Sequence, residues 1–127
     1  IDAIFVAGGN SFYLLQQLKI KDVIQELIEF ANNKIYVGTS AGACIACPSI
    51  DYVQELDNKS QAPLLDNYNA MNLVDFYVLP HYKSKEKYTK IADEIEKNYN
   101  NYKFVKISNE QAIIVDEVNN YRVVETN

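Results

Sequence analysis

The sequence predicts a single α/β domain over residues 1–127, a mostly parallel sheet flanked by helices. Three observations carry that prediction. Apolar runs of strand length alternate with amphipathic runs of helix length, the pattern of a parallel sheet covered by crossover helices. All four glycines, Gly8, Gly9, Gly38 and Gly42, fall in two turns that directly follow apolar runs. The 127 residues suit one domain, long enough to bury roughly two-thirds of its unfolded surface.

Taken in order, Asp2 to Ala7 reads as a short strand ended by Gly8-Gly9-Asn10. Ser11 to about Lys19 follows as a helix, with Phe12, Leu15 and Leu18 recurring every three residues. Lys21 to Asn32 is a second helix, with Val23, Leu27, Ile28 and Ala31 on one face. Lys34 to Gly38 is a strand that runs straight into Thr39-Ser40, and a short helix through Cys44 is stopped by Pro48. Residues 49 to 72 are irregular and polar, and a loop of that length in a small domain points to function or disorder. Val74 to Leu79 is a third strand ending at Pro80-His81. Ser84 is placed to cap a helix to about Tyr99, with Tyr88, Ile91, Ala92 and Ile95 at helical spacing. Phe104 to Ile107, Gln111 to Val115 and Tyr121 to Val124 are three short strands, with a turn at Glu117-Val118-Asn119-Asn120.

Composition excludes several classes. Hydrophobic residues make up 48% and charged residues 23%, the balance of an ordinary globular protein. A net charge of −5 with scattered lysines offers no footprint for nucleic acid. No apolar run approaches the roughly 20 residues that would span a bilayer, so no membrane role is expected. The opening Ile1-Asp2-Ala3-Ile4 has neither an initiating Met nor the layout of a signal peptide. The chain starts directly on a strand, and we expect a segment to precede it in the intact protein. Cys44-Ile45-Ala46-Cys47 has the spacing of a redox dithiol or half a zinc site. With no second pair and apolar Ala43, Ile45 and Ala46 around it, the pair is expected to pack in the interior. A reducing cytoplasm is the compartment this implies. Asn58-Lys59-Ser60 matches a glycosylation sequon, which has no meaning without secretion.

Chemistry is concentrated at strand ends. Gly38-Thr39-Ser40-Ala41-Gly42 is G-x-S-x-G, with an apolar strand before it and small residues after. A nucleophile on so sharp a turn sits in a strained backbone, so its neighbours must lack bulk. Ser40 would stand at the carboxyl end of a strand and the amino end of a helix, where free N–H groups stabilise developing negative charge. In a parallel sheet the Gly8-Gly9-Asn10 turn opens at the same edge and can supply a second amide opposite that of Ala41. G-x-G-x-x-G is absent, so a nucleotide loop is the weaker reading of those glycines. His81, the one histidine, also follows a strand and could take the proton of Ser40. Asp51, Glu55, Asp57 and Asp66 all lie between Ser40 and His81, and each fits the chain order serine, acid, histidine.

Ala7-Gly8-Gly9-Asn10-Ser11-Phe12-Tyr13-Leu14-Leu15 resembles the GGN signature of the peptidase E (aspartyl dipeptidase) family. Gly38-Thr39-Ser40-Ala41-Gly42-Ala43 with Ala46-Cys47-Pro48 is similar to its nucleophile segment. Leu79-Pro80-His81-Tyr82 looks like its histidine segment, and Ile107 to Ala112 like its later strand pair. The cyanophycinases share the G-T-S-A-G-A element. The resemblance implies a flavodoxin-like, class I glutamine-amidotransferase-like fold and a cofactor-independent serine peptidase with neither metal nor cofactor. Ser40 corresponds to the nucleophile, His81 to the base, and Gly9 and Ala41 to the amides of the oxyanion hole. The family's acid, fifteen positions after the serine, falls on Glu55. Asn10 and Lys87 are assigned to the substrate, a short peptide. Where aspartyl dipeptidases carry an Arg after the histidine, this chain has Lys83, Lys85 and Lys87, and its only Arg is Arg122. Lysine presents a point charge in place of a bidentate fork.

Family members carry further strands before the GGN segment, so the resemblance implies a carboxyl-terminal part that lacks those amino-terminal strands. An uncovered sheet side would then favour a homodimer. The expected activity is hydrolysis of short peptides through an acyl-enzyme. The alternative is a non-catalytic domain of the same fold that binds or dimerises, with a general esterase as a third reading.

Overall fold

The computed structural model describes residues 1–116 and 120–125. They belong to two compact units, Ile1–Leu73 and Val74–Asn127. Both mix helices with short sheets, the α/β class expected from the alternating pattern.

In the first unit, β1 (Ala3–Val6) lies parallel to β2 (Ile35–Gly38), in register from Ala3 opposite Ile35 to Val6 opposite Gly38. Two helices connect them, α1 (Ser11–Ile20) and α2 (Ile24–Asn33). The α1 start is built by Asn10, whose side chain accepts from the amides of Phe12 and Tyr13. Phe12 and Leu15 are fully buried. The second helix starts three residues later than its periodicity suggested. Asp22 turns left-handed at φ 54°, and the Val23 amide donates to the Leu18 carbonyl, which closes α1 before α2 can begin.

After β2 comes α3 (Ala41–Cys44), a single helical turn. Residues 49 to 72 form a closed loop with structure of its own. Short 3₁₀ turns occupy Asp51–Glu55 and Lys59–Gln61. Its two ends are tied together: Ile50 donates to Tyr68, Ala70 to Pro48, Met71 to Ile45 and Leu73 to Ala46. Ile50, Tyr52, Val53 and Met71 are buried, so this polar-looking stretch carries a good share of the interior.

In the second unit, β3 (Tyr77–Leu79) and β4 (Phe104–Lys106) are parallel, with Leu79 opposite Lys106. Helix α4 (Glu86–Asn98) joins them and buries Ala92 and Ile95. It starts at Glu86, and its capping position is Lys85, which makes no side-chain cap bond. The hydroxyl of Ser84, expected to cap it, donates instead to the carbonyl of His81 at 2.7 Å. The strands β5 (Gln111–Val115) and β6 (Tyr121–Glu125) pair antiparallel. Of the turn expected between them, residues 117–119 lie outside the described residues. Among the described residues, no helix is long and apolar enough to cross a membrane.

Candidate active site

Ser40 stands between the end of β2 and the start of α3, at φ 51° and ψ −109°. That is a left-handed backbone which a residue with a Cβ adopts only under constraint. The glycines on either side explain how it is held. A Cβ on Gly38 would run into the Gly42 carbonyl, and one on Gly42 would run into the carbonyl of Val6. Strand and helix thus approach too closely for any side chain at either position. The turn is closed by the Gly42 amide on Thr39 and by the amides of Ala43 and Cys44 on the Ser40 carbonyl. From β2, the Tyr36 hydroxyl donates to the Gly42 carbonyl at 2.7 Å, and burial pushes its pKa well above the ordinary phenol value.

The parallel pairing of β1 and β2 brings the two glycine turns together. A Cβ on Gly8 would lie 3.2 Å from Ser40 Cβ and 3.7 Å from its Oγ, so the Gly8-Gly9 turn passes directly beside the hydroxyl. Gly9 has φ +133°, open to glycine and strained for other residues. Neither the Gly9 nor the Ala41 amide has an acceptor among the described residues. Because α3 is only four residues long, any stabilisation of an anion here comes from these individual N–H groups. A helix dipole of the kind expected needs more turns.

Several of the other residues singled out in the first unit, Asn10, Asp51 and Asp57, have structural work. Asn10 caps α1 with its Oδ1, and its Nδ2 donates to the Asn58 carbonyl at 3.0 Å. Asp57 Oδ2 accepts from the Ser11 amide at 2.9 Å, which ties the irregular loop to the start of α1. Asp51 accepts from the amide of Tyr52. Glu55 is exposed at the end of its 3₁₀ turn. Cys44 and Cys47 are buried, as the apolar flanks predicted. Burial, with the Cys47 thiol beside it, lifts Cys44 to about 12, and Cys47 Sγ lies 3.7 Å from the Tyr52 hydroxyl.

His81 belongs to the second unit, directly after β3. Its backbone too is left-handed, at φ 63°, as is that of Lys83. Nδ1 lies 2.8 Å from Asn109 Oδ1, and the ring sits 5.7 Å from that of Tyr88. Lys87 is exposed on the first turn of α4, its Nζ 5.1 Å from the centre of the Tyr88 ring. The structure thus joins Ser40 with Gly8, Gly9 and Ala41 in one unit, and His81 with Asn109 in the other. Asn109 was missed from the sequence. The signal was the parallel order of β3 and β4, which sends the loops after both strands out at one edge.

The family model described as Peptidase family S51 matches residues 1–122. The uncharacterized peptidase Lin0382 of Listeria innocua is 45% identical over 116 residues, covering 90% of this chain and 55% of that protein. Peptidase E of a Nostoc species is 34% identical over 86 residues, 64% of this chain and 32% of its own length. A 1.5 Å crystal structure of a candidate peptidase E protein from Listeria monocytogenes EGD-e matches with a TM-score of 0.85 at 40% identity, covering 99% of this chain and 60% of that one. The chain therefore spans little more than half the length of the curated relative Lin0382.

Proposed function

The chain belongs to peptidase family S51, and from that premise we propose that it serves a serine peptidase that hydrolyses short peptides. The observation that carries this reading is the backbone of Ser40, strained at φ 51° between two glycines that cannot be replaced without a clash. Strain of this kind, on a strand-to-helix turn with G-x-S-x-G around it, is what an exposed nucleophile requires.

In the proposed cycle Ser40 Oγ attacks the peptide carbonyl carbon while His81 takes the hydroxyl proton. The oxygen that becomes negative is held by the amides of Gly9 and Ala41. Collapse breaks the C–N bond, His81 returns the proton to the leaving amine, and an ester on Ser40 remains. Water, deprotonated by His81, then hydrolyses that ester and restores the serine. Glu55 completes a proposed Ser-His-Glu triad: it orients His81 and balances the imidazolium formed in each half. Asn10, from the same turn as Gly9, and Lys87, as a cation for a substrate carboxylate, are the proposed substrate contacts. No metal or cofactor enters the scheme.

A panel of dipeptides varied at the first residue tests it. Ser40→Ala is expected to lower kcat/KM by at least about a thousandfold on every substrate the wild type cleaves. Turnover by the variant at the wild-type rate would overturn the assignment.

A further inference from the structure

Resting on the reading of Ser40 as a nucleophile with the Ala41 amide in its oxyanion hole, we propose that Tyr36 is a positioning residue for that amide. The Tyr36 hydroxyl donates to the Gly42 carbonyl at 2.7 Å. The same peptide plane carries the Ala43 amide, which donates to the Ser40 carbonyl at 3.0 Å. The plane of that carbonyl in turn carries the Ala41 N–H. Hydroxyl and peptide planes thus form one relay, all its donors aligned, from β2 to the amide that meets the oxyanion. Peptide units are planar and stiff, so fixing the carbonyl edge of each fixes its N–H edge. Hydrogen bonds in such a chain polarise one another, which makes the last N–H both better held and a stronger donor.

Local structure explains why a phenol stands there. Side chains alternate along a strand, so Tyr36 and Gly38 share one face of β2. Gly38, lacking a Cβ, lets the Gly42 carbonyl down onto that face, within reach of the hydroxyl two residues earlier. The carbonyl needs a partner, because Gly42 is buried and α3 is a single turn. Ile45 donates to Ala41, but the Ala46 amide, next in line for Gly42, donates to Ala43 instead. Phenylalanine would fill the same space and leave that carbonyl without its hydroxyl, a costly state for a buried acceptor. Burial, with the Cys47 and Cys44 thiols nearby, lifts the Tyr36 phenol well above its ordinary range, so it remains a donor at neutral pH. At the far end, Ser40 is held at φ 51°, a conformation that relaxes once its surroundings loosen. The Ser40 carbonyl also accepts from the Cys44 amide, so losing the phenol loosens the Ala41 plane without freeing it. The expected effect is therefore smaller than that of deleting an oxyanion donor outright.

Amide resonances test the relay directly. In Tyr36→Phe we expect the Ala43 and Ala41 amide protons to move upfield. Replacing Tyr36 by 4-aminophenylalanine, which keeps an N–H donor, should return both toward their wild-type positions. Turnover is counted per Ser40 that reacts with a fluorophosphonate, so that a lower folded fraction does not register as a lower rate. On that basis Tyr36→Phe should lower kcat by about tenfold with KM within about twofold, and the amino variant should recover most of the loss. Tyr52→Phe removes another buried hydroxyl of the same unit, one that meets the Cys47 thiol, and should keep the wild-type kcat. An unmoved Ala41 amide in Tyr36→Phe, an unchanged kcat per reactive serine, no recovery in the amino variant, or an equal loss in Tyr52→Phe would each overturn the proposal. The spectra judge the relay whether or not peptides are cleaved. Failure of the serine-peptidase reading would show separately, as turnover that survives Ser40→Ala.

Discussion

The left-handed backbone of Ser40 costs a serine on the order of 1–3 kcal/mol, and it persists because its neighbours leave it no other path. Gly42→Ala would force a Cβ against the Val6 carbonyl. We expect it to destabilise the chain by about 1–3 kcal/mol, measured as a lower midpoint in urea unfolding; an unchanged midpoint would mean that the close approach is not needed. These positions were legible in the sequence because close backbone approach admits one residue type, and all four glycines were gathered in two turns. The buried cysteines were legible for the opposite reason, since apolar neighbours on both sides leave a thiol nowhere to go but inward. Their burial has a pH signature. The Cys44 pKa is raised from 9.0 to about 12 on folding, so its contribution to stability is complete below about pH 9. It is lost as pH rises toward 12, where the unfolded thiol ionises and the folded one does not. The thermal midpoint of the wild type should fall more steeply between pH 9 and 11 than that of Cys44→Ala. Parallel slopes would contradict this.

At the scale of elements, α1 shows how a polar loop and a helix terminus stabilise each other. Asn10 caps the first turn, and Asp57, from the loop, takes the Ser11 amide. Asn10→Ala and Asp57→Ala should each cost about 1 kcal/mol in chemical denaturation. Changes below a few tenths would place those amides in water at no cost. If Asn10 also contacts substrate, its variant will raise KM as well. The helices and strands themselves were readable from their periods of 3.6 and 2. Boundaries slipped where a side chain found a better partner than the one local spacing offered. Ser84 left the start of α4 to hold the His81 carbonyl, and Asp22 turned left-handed to separate α1 from α2. The loop from 49 to 72 was the least legible stretch. Its buried Ile50, Tyr52, Val53 and Met71 have no periodicity, and its order comes from backbone bonds between residues some twenty positions apart.

For the whole molecule, the α/β class was legible because it follows from the order of elements, whereas the partner of His81 was not. Asn109 looks in the sequence like any polar residue of a turn, and only the pairing of β3 with β4 brings it to the histidine. The parallel register of β1 and β2 also sets Ala3, Phe5, Ile35 and Val37 on one face. Phe5 is 64% exposed, Ile35 59% and Val37 43%. An apolar face of this kind should draw copies together, so sedimentation should show mass rising with concentration. Phe5→Ser combined with Ile35→Thr should restore the monomer, and a wild type that stays monomeric at every concentration would exclude such association. The claim on which the rest depends is that Ser40 is a nucleophile. The most direct measurement is reaction with a labelled fluorophosphonate, followed by mapping of the modified peptide. We expect a single adduct on Ser40, absent from Ser40→Ala and slowed by at least about a hundredfold in His81→Ala. A wild type that takes up no more label than Ser40→Ala would contradict it, and would leave the chain as a binding domain of the same fold.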